Sequence, residues 1–142
     1  MGKVRAQGMS DYQPEQPLDK SWYEAEVLDA KADSFGQNNT LNLMIQLQVT
    51  EGPTQSDGTE PEGRRVSDFI PLEGYETMKD GGKFLKRKLH NAFEAAGVEV
   101  DSDDSFDPDE FTGQRVAIKV AANENPKTGE VREQIQDYRA SE

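Results

Sequence analysis

From Leu41 to Val49 the chain alternates without a break: Leu41, Leu43, Ile45, Leu47 and Val49 fall on one side, Asn42, Met44, Gln46 and Gln48 on the other. A period of two belongs to a β-strand with one face on a core. Helical neighbours on one face recur every three or four residues instead. The second row is informative too. A plain solvent face carries Lys, Glu and Thr, whereas this one is polar and uncharged.

Four other segments read as strands. Trp22 to Lys31 has Tyr23, Ala25 and Val27 in phase, and Arg64 to Leu72 has Val66, Ile70 and Leu72 in phase with Phe69 pointing the other way. Gly113 opens a fourth, in which Val116, Ile118 and Val120 alternate, and Val131 to Tyr138 forms the last. Runs of turn-forming residues separate them at Ser34 to Asn39, Glu51 to Gly63 and Asn123 to Glu130. Between the third and fourth strands the period changes. Leu85, Leu89, Ala92, Phe93 and Ala96 form a helical stripe, with Asp80 a candidate N-cap and Gly97 a candidate left-handed stop. Asp107-Pro108 before Asp109, Glu110 and Phe111 predicts one capped helical turn in an acidic connector.

The order β-β-β-α-β-β predicts an all-β domain with one helix. Closing five strands into a barrel removes exposed sheet edges, and the helix can plug one end. That is the five-stranded barrel of the oligonucleotide-binding (OB) type; an SH3-like barrel and a split sheet with one helix are the competing arrangements. The domain is assigned to residues 21–139, after a flexible N-terminal arm over 1–20 that has no apolar period and before a tail over 140–142. At 142 residues and 33% apolar, one modest core is possible and two are not. With no cysteine there is no disulfide framework, zinc-thiolate site or thiol nucleophile. No apolar run reaches the length of a membrane span or a signal-peptide core, which leads to the expectation of a cytoplasmic protein without a membrane partner.

The net charge of −12 argues against a polyanionic partner, but the charge is segregated. Residues 21–63 hold one Lys and eight acids, 64–93 hold seven bases and four acids, and 94–112 hold eight acids and no base. Enzyme signatures are missing. His90 is the single histidine and sits in the helix with no hydroxyl partner at motif spacing. Asp101, Asp103 and Asp107 are spaced like calcium ligands. An EF-hand loop from Asp101, however, needs Gly and Glu where Phe106 and Thr112 stand. Neither a cofactor nor catalysis is expected.

Several stretches carry a family resemblance: Trp22-Tyr23-Glu24-Ala25-Glu26-Val27, Gly63-Arg64-Arg65-Val66-Ser67-Asp68, Phe93-Glu94-Ala95-Ala96-Gly97-Val98, Phe111-Thr112-Gly113-Gln114-Arg115-Val116 and the closing Val131 to Tyr138 segment. Over residues 22–139 the chain resembles a phage-encoded family of OB-fold single-stranded DNA-binding proteins from replication and recombination modules. Its motifs are a diffuse pattern of strands and glycines, with no catalytic signature. The resemblance implies non-sequence-specific binding of single-stranded DNA in the host cytoplasm, with phage replication or recombination proteins as partners, and leaves the oligomeric state open. Two alternatives stand beside it: an acidic protein-interaction or DNA-mimic module, for which the charge is the warrant, and a structural virion component.

Such binding needs flat side chains under the bases and cations along the phosphates. In an OB barrel the ligand face is the outer surface of strands two and three with the flanking hairpin loops. The candidates are therefore Phe69 and Phe35 for stacking and Arg64 and Arg65 for phosphate, with Lys31, Lys119, Lys127 and Arg132 extending the path. Each of the first four has a structural counterpart: Phe69 packed under the 51–63 loop, Phe35 as a loop anchor, the arginines paired with Glu60 and Glu62. Trp22 and Tyr138 are assigned mainly to the barrel rim and its cap. Lys79, Lys83, Lys86, Arg87 and Lys88 are read as the exposed face of the helix rather than as a second phosphate surface.

Overall fold

The computed structural model describes residues 2–9, 16–35, 40–124 and 126–142, with Phe35 described in its backbone alone. Its five strands are β1 (Ser21–Phe35), β2 (Thr40–Glu51), β3 (Arg65–Pro71), β4 (Arg115–Glu124) and β5 (Val131–Ala140). They form one antiparallel sheet in the order β3-β2-β1-β4-β5. Helix α1 (Lys83–Ala96) follows β3 and packs chiefly on β5, with further contacts to β4 and β3. No helix among the described residues is long and apolar enough to cross a membrane.

The sequence alternation becomes core from Leu43 onward, whereas Leu41, expected on the same face, is 36% exposed at the start of β2. Leu43, Ile45, Leu47 and Val49 of β2 meet Tyr23, Ala25 and Val27 of β1, Val116, Ile118 and Val120 of β4, and Ile135 of β5 inside the curl of the sheet. Ala92, Ala96 and Phe111 cover this core from the helix side. Phe93 and Phe106 pack beside Phe111, with the Phe93 and Phe106 rings 4.8 Å apart, edge to face. Helix α1 stops as its sequence requires. Gly97 adopts φ +71, a left-handed value that a side chain disfavours, and Val98 N–H donates back to the Phe93 carbonyl at 2.9 Å. Asp80 lies just before the helix and accepts N–H bonds from Phe84 and Gly82. Those bonds hold its carboxyl below the ordinary 3.8.

Two features depart from expectation. Leu18, in the stretch assigned to a flexible arm, is 1% exposed and belongs to the core. Beside it, the Tyr23 hydroxyl donates to the Asp19 carbonyl, and the Asp19 carboxylate receives Ser56 N–H and Oγ–H. An isolated leucine among polar residues gives no period, so nothing local announces its burial. Tyr23 also lies so close to Gly52 that a Cβ at residue 52 would overlap its ring, which accounts for glycine there.

The second departure is the sheet's closure. No backbone ladder joins β3 to β5 among the described residues, so the sheet curls but is not closed into a barrel. Side chains bridge the two edges instead. Lys88 Nζ of α1 lies 3.1 Å from Asp68 Oδ1 of β3 and 3.0 Å from the Ile135 carbonyl of β5. The Tyr138 hydroxyl of β5 donates to Asp68 Oδ2 at 2.8 Å. Lys88 and Asp68 are 3% and 6% exposed. Lys88 is therefore not part of the exposed helix face that the sequence suggests, and Tyr138 is buried beside it. A lysine's long apolar stem lets it start among helix surface positions and still deliver its charge to the interior.

Candidate functional site

Residues in register across a sheet share a face. On the outward face of β1, β2 and β3 the register aligns Lys31 with Met44 and Phe69, Asp29 with Gln46 and Ser67, and Glu26 with Gln48 and Arg65. Phe69 is 51% exposed in the middle of its strand, whereas Met44 between it and Lys31 is 8% exposed. The rest of the β2 row, Asn42, Gln46 and Gln48, is polar and uncharged. The result is a ring on a sheet face, an uncharged polar strip beside it, and the exposed cations Lys31 and Arg65 on either side of that strip.

The same register brings an opposing feature. Because β1 runs on to Phe35, Asp29 and Asp33 project with Glu26 from the outward side of β1. Glu26 lies in register between Gln48 of β2 and Arg115 of β4, two strands away from Arg65. On this face three carboxylates of β1 thus stand against two cations, Arg65 on β3 and Lys31, which itself lies between Asp29 and Asp33 on β1. A first strand ending at Lys31 conceals this, although the alternation of Asp29, Lys31 and Asp33 is present in the sequence to reveal it.

The remaining candidates are dispersed. Arg64 does not join Arg65 on the outward row. Its guanidinium donates to the Gln16 carbonyl at 3.0 Å and lies 3.4 Å from Glu133 Oε1 on β5, so it belongs to the β3–β5 seam. Where the sequence points to Glu60 or Glu62 nearby, the structure supplies a partner far along the chain. Lys119 is half-buried on β4, in register with Trp22 and Asp137, on the β1–β4–β5 part of the outer surface. Arg132 is exposed and pairs with Glu130 at 3.0 Å, and Lys127 is exposed on the same β4–β5 hairpin. The Phe35 side chain and residues 36–39 of the first hairpin loop lie outside the described residues. Trp22 is covered by the Arg139 guanidinium, 4.2 Å from its ring centre.

Chemically this surface is suited to holding and positioning a ligand. Lys31 and Arg65 supply charge and Phe69 a flat apolar face, and none of the three is a nucleophile paired with a base. A scan against protein-family models and a search of curated proteins each find no match to this chain.

Proposed function

We propose that the protein binds single-stranded DNA without sequence preference, on the outward face of β2 and β3, in phage replication or recombination. The observation that carries this reading is Phe69, an aromatic ring 51% exposed at mid-strand beside an uncharged polar strip, with Lys31 and Arg65 flanking it. Every base offers a π-face to such a ring, so the contact is indifferent to sequence. Arg65 meets the phosphates along β3, and Lys31 reaches them from between Asp29 and Asp33, which limit the track on the β1 side.

The OB reading of the fold belongs to the same proposal. Strands β3 and β5 stand at the two edges of the sheet, the pair an OB barrel would join, and Asp68, Lys88, Tyr138, Arg64 and Glu133 already span that gap. The helix after the third strand packs near it, in keeping with an OB barrel.

The test is titration of labelled oligo(dT) and of a duplex of equal length at two salt concentrations. The expected outcome is preference for the single strand, weakening with salt, and a loss of about 1–3 kcal/mol in Phe69→Ala. Retention on a basic DNA-processing enzyme with no binding to oligo(dT) at low salt would replace this reading with the acidic-mimic one.

A further inference from the structure

A cleft of about 800 Å³ lies between α1, the connector that follows it and the start of β2. Leu89 and Phe93 of α1, Leu41, Leu72, Val100 and Phe106 give it an apolar floor. Leu41 and Val100 remain 36% and 42% exposed there. One wall is the connector, whose residues 99–110 hold seven carboxylates and no base. Ser105 donates its hydroxyl and N–H to Asp103, which keeps that carboxyl below the ordinary 3.8 and hence charged. The opposite wall carries Lys86 and His90. Lys86 lies over the Tyr75 ring at 5.2 Å, and His90 is 3.9 Å from Glu94. The cleft is apolar at its base and acidic along its connector wall.

A matching surface stands elsewhere on the same molecule. Phe84, at the start of α1, is 43% exposed, with the Arg87 guanidinium 5.5 Å from its ring and Lys83 exposed next to it. The nearest acid in sequence, Asp80, accepts the N–H groups of Phe84 and Gly82 and has Lys83 as a charged neighbour. Phe84 and the cleft residue Phe93 are nine positions apart, which at about 100° per residue places them on opposite flanks of the helix. Patch and cleft therefore do not compete for the same space.

We propose that the cleft is occupied by a second copy of this chain, which inserts Phe84 between the apolar walls and sets Lys83 and Arg87 against the acidic connector. An apolar anchor ringed by complementary charge is a common interface design. Because patch and cleft differ and lie on opposite flanks, the contact is heterologous, and successive copies add head to tail. The proposal is independent of the DNA reading.

Sedimentation velocity over a concentration series, near physiological salt so that the −12 charges of separate copies are screened, tests it. The wild-type mass should rise beyond two chains. Phe84→Glu and Val100→Lys alter exposed positions on opposite partners, and each alone should weaken association about tenfold or more. Mixed in equal amounts, the two variants should form a one-to-one dimer and stop there, because one intact patch and one intact cleft remain. The proposal is overturned by a wild type that stays monomeric, by a mass that plateaus at two chains, by single variants that associate like the wild type, or by a mixture that remains monomeric. In the first case the cleft's occupant is a different basic partner. Circular dichroism of each variant, matching the wild type, keeps unfolding from imitating either result.

Discussion

Asp68 and Phe69 are neighbours on β3, and each stands where the alternation would place the other. Asp68 occupies an inward position at 6% exposure, between Val66 and Ile70, while Phe69 lies outward at 51%. Both inversions are unfavourable in isolation. A buried carboxylate loses hydration that only well-placed partners replace, and an exposed phenylalanine forgoes part of the roughly 1.5–3 kcal/mol that full burial yields. The molecule resolves them differently. Asp68 is satisfied within the chain, by Lys88 and the Tyr138 hydroxyl, and every buried side-chain nitrogen and oxygen among the described residues has a hydrogen-bond partner. Phe69 leaves half its surface to solvent. The inward inversion bridges the edges of the sheet; the outward one leaves an aromatic face open, the feature on which the proposed binding surface rests.

The sharpest way to break this contrast is at Lys88. Lys88→Met removes one partner of a buried pair and strands the Asp68 charge, with an expected loss of about 3–5 kcal/mol in unfolding free energy by urea denaturation. Adding Asp68→Asn, which removes the stranded charge and keeps an acceptor for Tyr138, should recover part of that loss. Protein that remains folded should bind oligo(dT) as the wild type does. A cost of only about 1 kcal/mol or less, typical of solvated pairs, would show that the seam does not hold the two edges.

Tyr138 gives a milder version with a pH signature. Burial first, and then the Asp68 charge and hydrogen bond, raise its hydroxyl pKa well above 10.0. The folded state thus holds this proton more tightly than the unfolded chain. Its contribution is complete below the unfolded value of 10.0 and is lost as the pH rises towards the folded one. Tyr23 and Tyr75, also raised by burial, add to the same alkaline loss. Tyr138→Phe should cost about 1.5–3 kcal/mol at neutral pH, from a hydrogen bond to a charged acceptor. It should also flatten the fall in stability above pH 10.0. An alkaline limb of unchanged slope would assign that titration to other groups.

The two inversions also mark how far the sequence could be read. The succession of elements along the chain, the single helix, its Gly97 stop and the Asp107-Pro108 turn were all legible, because period, cap and turn chemistry are local. Phe69 was legible as a residue out of phase. Asp68 could have been read in the same way, since it falls in phase with Val66 and Ile70, and a charge at a core position signals a buried partner. That the partner is Lys88 depends on how α1 meets the sheet edges, which no local pattern records. The same holds for Leu18, buried by packing against residues far along the chain, and for Arg64, whose partner Glu133 is 69 residues away.

Arg64 and Arg65 carry the contrast to its smallest measurable effect. They are adjacent and chemically identical, and only the alternation of β3 separates them, Arg64 in phase with the inward Val66 and Arg65 with the outward Phe69. In the structure Arg64 turns into the seam towards Glu133, while Arg65 is exposed at the start of the outward row of β3. If only Arg65 meets phosphate, Arg65→Ala should reduce the slope of log affinity for oligo(dT) against log salt by about 0.7, with stability unchanged. Arg64→Ala should leave that slope alone and lower stability modestly, because it releases Glu133 and the Gln16 carbonyl rather than a phosphate. Equal reductions of slope in the two variants would mean that DNA, when bound, draws Arg64 out of the seam, and the division between a structural edge and a binding face would then fail at that residue; two unchanged slopes would take Arg65 out of the phosphate path.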